Sequence, residues 1–282
     1  LSQVIKAALW RGIQGGLAGG MAMGINVCTL MWMRTTINYQ YRYGTGTMDA
    51  FRALYKDGGV PRFYRGLIPA LMQGPLSRFG DTAANTGTLA LLDTFESTKD
   101  LPVGAKTVAA SASAAGFRIF LMPIDTFKTT MQVEGKDAVA QLLKKVKVNG
   151  PTVFWHGALA SATATFVGHY PWFFTYNFLN EKLPKYDDLF MKLGRAAGIG
   201  FVSSAISDTC SNSIRVVKVY KQASKVAISY PEVVRTIVAE DGVLGLMGRG
   251  LRTKILSNGV QGLMFSVLWK YIDDAVFKKD KK

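Results

Sequence analysis

The run Pro123-Ile124-Asp125-Thr126-Phe127-Lys128-Thr129-Thr130-Met131-Gln132 places a carboxylate and an amine three residues apart in an apolar segment, directly after a proline. Residues three apart share one face of a helix. Ionisable groups in such a segment are costly to bury, which points to a functional pair with a partner nearby. An i,i+3 ion pair at the end of an amphipathic helix gives the same pattern. The proline bends the helix and releases backbone groups. No catalytic signature accompanies the pair. Cys28 and Cys210 are the two cysteines, too far apart in sequence for a disulfide framework or a zinc site. There is no nucleophile elbow and no nucleotide fingerprint. Gly15-Gly16-Leu17-Ala18-Gly19-Gly20 lacks the Lys-Ser/Thr ending of a phosphate loop. The chemistry expected is binding and charge gating, with no enzyme activity, no metal and no cofactor.

The elements that hold this pair recur along the chain. Gly58-Gly59-Val60-Pro61-Arg62-Phe63-Tyr64-Arg65-Gly66, Asn149-Gly150-Pro151-Thr152-Val153-Phe154-Trp155-His156-Gly157 and Asp241-Gly242-Val243-Leu244-Gly245-Leu246-Met247-Gly248-Arg249-Gly250 each run from a glycine turn through apolar residues to a final glycine. By their numbers those glycines stand 91 and 93 residues apart, the signature of a repeat architecture. Units 1–99, 100–185 and 186–282 account for the chain. Each opens with a long apolar stretch (about 5–40, 103–134 and 189–222). A short amphipathic segment follows (about 46–56, 137–147 and 229–240), then a second long stretch (about 67–97, 157–182 and 250–277). About 20 mostly apolar residues cross a bilayer. Ala110, Ala114 and Ala115 supply small residues that let helices pack closely in lipid.

Composition agrees with six such helices around a wet interior. Apolar residues make up 49% of the 282, and the mean hydropathy of +0.14 is high for a soluble chain and low for a sealed bundle. The formal net charge of +15 is spread along the sequence without a nucleic-acid recognition motif. A surface that meets anionic lipid explains it better than nucleic acid does. The N-terminus carries no secretory signal pattern. Lys278-Lys279-Asp280-Lys281-Lys282 reads as a solvated tail or a headgroup contact.

Three units of this length, the Pro-x-Asp-x-x-Lys motif and the turns ending in Gly66 and Gly157 resemble the mitochondrial carrier family over nearly the whole chain. The resemblance implies an all-α membrane protein of six tilted transmembrane helices in three pseudo-threefold repeats, each with a short matrix-side amphipathic helix. It implies a multi-pass protein of the mitochondrial inner membrane, working by alternating access. It implies a matrix gate built from Pro123, Asp125, Lys128 and Gln132. It also implies cardiolipin at Tyr64, Arg65 and Gly66, at Trp155 and Gly157, and at Arg249 and Gly250, where helix N-termini and glycine amides hold phosphate; a plain helix-start turn has the same sequence.

The other repeats depart from the pattern. In the third, the best register puts Cys210 at the proline, Asn212 at the acid and Arg215 at the cation. In the first, starting from Asn26 or Cys28 leaves neither an acid nor a cation. The family's second gate is expected near 85–89, 176–180 and 268–272, and none of these has an acid–cation pair. Either the gates close by packing and neutral hydrogen bonds, or the protein no longer cycles.

Counting from the repeat glycines, the resemblance places substrate contacts at Asp81, Ala164, Thr165 and Ser257, with Gln73, Ser77, Arg78, His169 and Asn258 as neighbours on accessible faces. Arg78 and Asp81 share a helix face and either neutralise each other or hold an anion and an amine or proton. His169 is structural, pH-sensitive or substrate-binding. Arg118, in an apolar helix before Pro123, is expected to face the cavity or the gate. The absence of an arginine near Ser257 argues against a nucleotide, which needs several cations. The expected function is transport of a small anionic metabolite. The alternative is a carrier-like structural subunit or adaptor of an inner-membrane complex.

Overall fold

The computed structural model describes the backbone of residues 24–272 and every side chain in that span except those of residues 78, 81, 82, 85, 86, 103, 104, 263 and 265–272. The glycine run at 15–20 and the tail at 278–282 lie outside the described residues. No strand occurs among the described residues. Helix α1 occupies 24–43. It is followed by α2 (Thr47–Lys56), α3 (Gly59–Phe63), α4 (Leu67–Thr94), α5 (Val103–Phe120) and α6 (Met122–Glu134). Then come α7 (Ala138–Asn149), α8 (Ala158–Lys182), α9 (Leu189–Ala223), α10 (Tyr230–Gly248) and α11 (Leu251–Ile272).

Pro123 lies in the first turn of α6, and the chain breaks between α5 and α6. Ala105–Phe120 and Met122–Asn149 are bent by 65°, as expected where proline removes one hydrogen bond and its ring crowds the preceding turn. Helix α9 has no proline and runs unbroken for 35 residues. Helices α4, α8 and α11 start after Gly66, Gly157 and Gly250, whose φ values of +85°, +91° and +66° suit glycine alone.

Among the described residues, α9 is the one helix that is long and apolar enough to cross a membrane unaided, and α5 with 122–149 passes as a bent pair. Helices α4, α8 and α11 have 28, 25 and 22 residues. They are long enough, but each carries polar groups such as Gln73 and Ser77, Ser161 and Thr165, or Lys254 and Asn258. Large apolar side chains face outward, among them Ile68, Phe120, Leu159, Tyr170, Phe174 and Phe190.

The main core sits where the C-terminal ends of α1, α6 and α9 meet: Ile37 and Tyr41, Val133, Val216 to Ala223, and Val233 and Ile237 of α10. Three buried cations, Arg62, Lys145 and Arg249, are 1%, 4% and 5% exposed and bind that end. Arg62 donates to the carbonyls of Gln132 and Val133 at 2.9 and 2.7 Å. Lys145 donates to those of Lys221 and Ser224 at 3.3 and 2.8 Å. Arg249 donates to that of Arg42 at 3.3 Å. A helix leaves its last four carbonyls without intrahelical partners, and a cation there satisfies them and complements the dipole. Each cation follows one long helix in sequence and caps the next one: α1's segment caps α6, α6's caps α9, and α9's caps α1.

Burial pushes the Lys145 amine down to about 8, with the neighbouring Lys221 and Arg42 charges adding to the effect, so it is still protonated at neutral pH. Lys145→Met should orphan the α9 carbonyls and cost about 1–3 kcal/mol. Thermal unfolding of the purified protein should show a drop of several degrees, and an unchanged Tm would remove the cap from the account.

Candidate functional site

Beside the convergent ends lies a cavity of about 480 Å³. Among the described residues, Arg34 of α1, Arg118 of α5, Lys128 of α6, Arg215 and Lys218 of α9, and Lys254 of α11 line it, against two carboxylates, Asp125 and Asp208. Gln73, Ser77, Ser204, Ser207, Ser257 and Gln261 add neutral polar groups, and Trp172 an aromatic one.

Glycine packing fixes which residues of the three long helices are equivalent. A Cβ on Gly66 would lie 3.0 Å from the Lys128 carbonyl oxygen, one on Gly157 3.4 Å from that of Lys218, and one on Gly250 3.3 Å from that of Ile37. Ile37, Lys128 and Lys218 therefore occupy one level, and Arg34, Asp125 and Arg215 another, three residues earlier. Side-chain contacts agree for the first two: Thr35 donates to the Phe63 carbonyl at 2.7 Å and Thr126 to the Phe154 carbonyl at 2.8 Å.

This register corrects two expectations. In the third helix the acid and cation levels hold Arg215 and Lys218, not Asn212 and Arg215. Asn212 is fully buried, donates to the Met247 and Arg249 carbonyls at 2.8 and 3.0 Å, and accepts from Tyr41 at 3.0 Å. It holds the turn before α11 and does not line the cavity. In the first helix the acid level holds a cation, Arg34, where neither charge was expected.

Asp125 is the centre of the arrangement. Its Oδ1 pairs with Lys128 at 2.6 Å and its Oδ2 with Lys218 at 2.6 Å. Gln222 donates to the same Oδ2 at 3.1 Å. One carboxylate on α6 thus carries two lysines and ties α6 to α9. Gln132, one turn beyond Lys128, accepts from Asn38 of α1 at 2.5 Å, a neutral bond where α1 has no charged pair to offer. Asp208, two turns before Arg215 on α9, lies 3.6 Å from that guanidinium and accepts a short bond from Asn258.

The expected substrate residues are only partly brought together. Ser257 and Asn258 line the cavity. Thr165 bonds back to the Ser161 carbonyl of its own helix at 2.9 Å, His169 Nδ1 meets Ser111 of α5 at 3.2 Å, and neither lines the cavity. The side chains of Arg78 and Asp81 lie outside the described residues. Arg118 lines the cavity as expected and donates to Ser77 at 3.0 Å. Lys254, one turn before Ser257, supplies a cation on α11, and with Arg34 and Lys218 it answers the expected shortage of positive charge.

Among the glycine turns, Tyr64 packs on the cluster of Val27, Met31 and Ala70. Arg65 has a buried Nη1 without a hydrogen-bond partner. Trp155 is exposed. Arg249 is held by Glu240 and Asp241 at 2.9 and 2.7 Å. Burial, with Lys145 and Lys221 nearby, pushes the His156 imidazole down to about 4, so this turn carries no charge on His156 at neutral pH. At the opposite end, Lys106 pairs with Asp93, and Arg195 donates to the Asn180 side chain and carbonyl at 2.7 Å each. There the cations come from the following helix, α5 or α9, so a motif sought within α4 or α8 misses them.

Asp125→Asn should leave Lys128 and Lys218 facing each other without a counter-charge. Breaking a buried pair this way costs about 3–5 kcal/mol. Thermal unfolding should register this loss, Lys218→Met should cost less, and the double variant should be less damaged than the sum of the two. Additive losses would mean that Asp125 and Lys218 do not interact.

A family model described as mitochondrial carrier protein matches residues 6–91 and 99–187. A mitochondrial substrate carrier family protein S of Dictyostelium discoideum is 26% identical over 239 residues, covering 79% of this chain and 82% of the relative. A mitochondrial thiamine pyrophosphate carrier 1 of Aspergillus terreus is 29% identical over 226 residues, covering 77% and 68%. The mitochondrial 2-oxodicarboxylate carrier of Rattus norvegicus is 24% identical over 242 residues, covering 79% and 78%. With a helical chain bent at Pro123 and a polar cavity among its long helices, these matches make the chain a member of the mitochondrial carrier family.

Proposed function

We propose that this carrier moves a small anionic metabolite across the mitochondrial inner membrane by alternating access through the central cavity. The observation that carries the reading is the charge of that cavity, six cations against two carboxylates among the described residues, one of which is already shared by two lysines. A concave site with one sign of charge in excess concentrates ligands of the other sign. In this reading the chain forms three repeats. Helices α1, α4, α5 with α6, α8, α9 and α11 span the membrane, while α2, α7 and α10 lie on the matrix side. The Asp125 cluster with Gln132, Arg215 and Lys218 is the closed matrix gate. The relatives named for thiamine pyrophosphate and a 2-oxodicarboxylate fit an anionic solute.

The open polar cavity favours transport over the adaptor reading, which needs no path for a solute. Purified protein in liposomes should take up or exchange an anionic metabolite. Arg118→Ala and Lys254→Ala should each lower the rate at least about tenfold, the scale of one lost charge-assisted hydrogen bond, with little change in Tm. Absence of transport across a broad panel of anions, together with stable recovery in a larger complex, would support the adaptor instead.

Cardiolipin is proposed at the glycine turns. Gly66 and Gly157 cap α4 and α8 with no side-chain hydrogen bond, and Gly46 does the same for α2. A second cavity of about 330 Å³ runs from Gly44–Thr47 to Gly248–Arg252. Buried Gln40 Oε1 and Thr45 Oγ1, which lack partners, lie along it. Since Glu240 and Asp241 hold Arg249, helix amides and Arg252 are the groups that face a phosphate. Native mass spectrometry should detect retained cardiolipin that other phospholipids do not displace. Release at the same rate as phosphatidylcholine would rule the site out.

A further inference from the structure

Two aromatic residues line the central cavity among the described residues, Tyr41 and Trp172. Tyr41 is 3% exposed and donates its hydroxyl to Asn212, so it belongs to the packed gate end. Trp172 of α8 is held by three contacts. Its ring stacks on Tyr176, one turn on, at 4.9 Å between centroids and 10° between planes. Phe173 meets it edge-on at 5.0 Å. Its Nε1 donates to Ser204 of α9 at 3.3 Å. The indole is thereby fixed before any ligand arrives, which removes the cost of ordering it on binding. Tyr176 covers the face turned toward the C-terminal end of α8. The other face looks toward the preceding turn, over which a helical side chain leans. One turn back stands Gly168, which has no side chain to cover that face. A Cβ there would lie 3.0 Å from Ser207 Oγ. Ser207 itself lines the cavity and donates to the Gly168 carbonyl at 2.7 Å.

We propose that the solute of this cavity carries a planar aromatic ring that stacks on the open face of Trp172, with its anionic group drawn to the lysines at the gate end. A flat conjugated ring meets an indole across its whole face, and such offset stacking adds to the gain from burying the ring. Ser204 and Ser207 beside the indole each carry a hydroxyl that can bond substituents of such a ring. Trp172 lies fifteen residues beyond Gly157, and Lys254 four beyond Gly250. At about 1.5 Å per residue along each helix, the indole stands about 16 Å farther from those glycines than Lys254 does. Both line the one cavity of about 480 Å³, so a solute that touches both ends is elongated, with its ring and its charge apart. The proposal rests on the carrier reading only in taking the cavity as the solute path.

The test is thermal unfolding of the detergent-purified protein with two matched pairs of anions: phenyl phosphate against cyclohexyl phosphate, and terephthalate against trans-cyclohexane-1,4-dicarboxylate. Each pair keeps charge and size and differs in planarity. A ligand of the folded state raises Tm in a saturable way. The planar member of at least one pair should do so at a concentration at least about fivefold below that of its saturated partner. Trp172→Leu should remove that preference. Trp172→Phe should keep part of it and, by removing the indole, abolish the quenching of tryptophan fluorescence by the planar ligand. Equal concentrations within both pairs, an unchanged preference in Trp172→Leu, or quenching that persists in Trp172→Phe would overturn the proposal. The wild-type comparison and the Phe variant decide the matter if the Leu variant fails to fold. Liposomes separate this proposal from the carrier reading. No transport across a broad panel of anions, with the planar preference in Tm intact, would overturn the carrier reading and leave the Trp172 site standing. Transport that Trp172→Leu slows equally for planar and saturated anions would overturn the Trp172 site and leave the carrier reading standing.

Discussion

One buried carboxylate carries two amines, and the contact between α6 and α9 is arranged around that fact. Asp125 is 3% exposed, with Lys128 on its own helix and Lys218 on α9. A charge at that depth persists only with partners that replace its hydration. Pro123 lies in the first turn of the helix on which Asp125 sits, directly after the break from α5, so the break and the ion cluster belong together. Helix α9 has no such break and reaches the cluster as one continuous element. The two sides of the contact are therefore built differently although they occupy equivalent levels.

Below the cluster, the same task is met three times with different residues. Arg62 reaches its carbonyls from α3, Lys145 from the middle of α7, and Arg249 from the turn after α10. The common requirement is a donor for the last carbonyls of a long helix. Any cation whose stem reaches that point satisfies it, so the contact recurs without a recurring sequence position. Arg249 also satisfies two carboxylates. Its bond to the Arg42 carbonyl ties the α10–α11 turn to the end of α1.

Much of the architecture was legible in the sequence because it depends on local chemistry. The glycine turns fix where α4, α8 and α11 start, and Pro123 fixes the break before α6. The register of α1 and α9 was not legible from residue types, because neither helix has the motif. For α1 a signal existed: Ile37 precedes Gly66 by the same 29 residues that separate Lys128 from Gly157. Counting back from that glycine finds Arg34. For α9 the count fails, since six residues, 224–229, separate it from α10, whereas three, Gly135–Asp137, separate α6 from α7. Only the packing of Gly157 against Lys218 settles it. The cations at the opposite end were missed for a related reason. Lys106 and Arg195 pair across helices, and a search along one helix cannot see a contact made by the next.

The asymmetry of charge has a consequence for the cycle proposed above. A ligand shifts a conformational equilibrium only by the difference between its affinities for the two states. In a gate with three complete ion pairs, the empty protein closes itself and the solute must compete with those pairs to open it. Among the described residues, α6 and α9 are joined by the two 2.6 Å pairs of Asp125, whereas the 3.6 Å pair of Arg215 with Asp208 lies within α9. In the carrier reading proposed above, a solute that offsets the excess positive charge of the cavity shifts the protein toward the state that holds it more tightly.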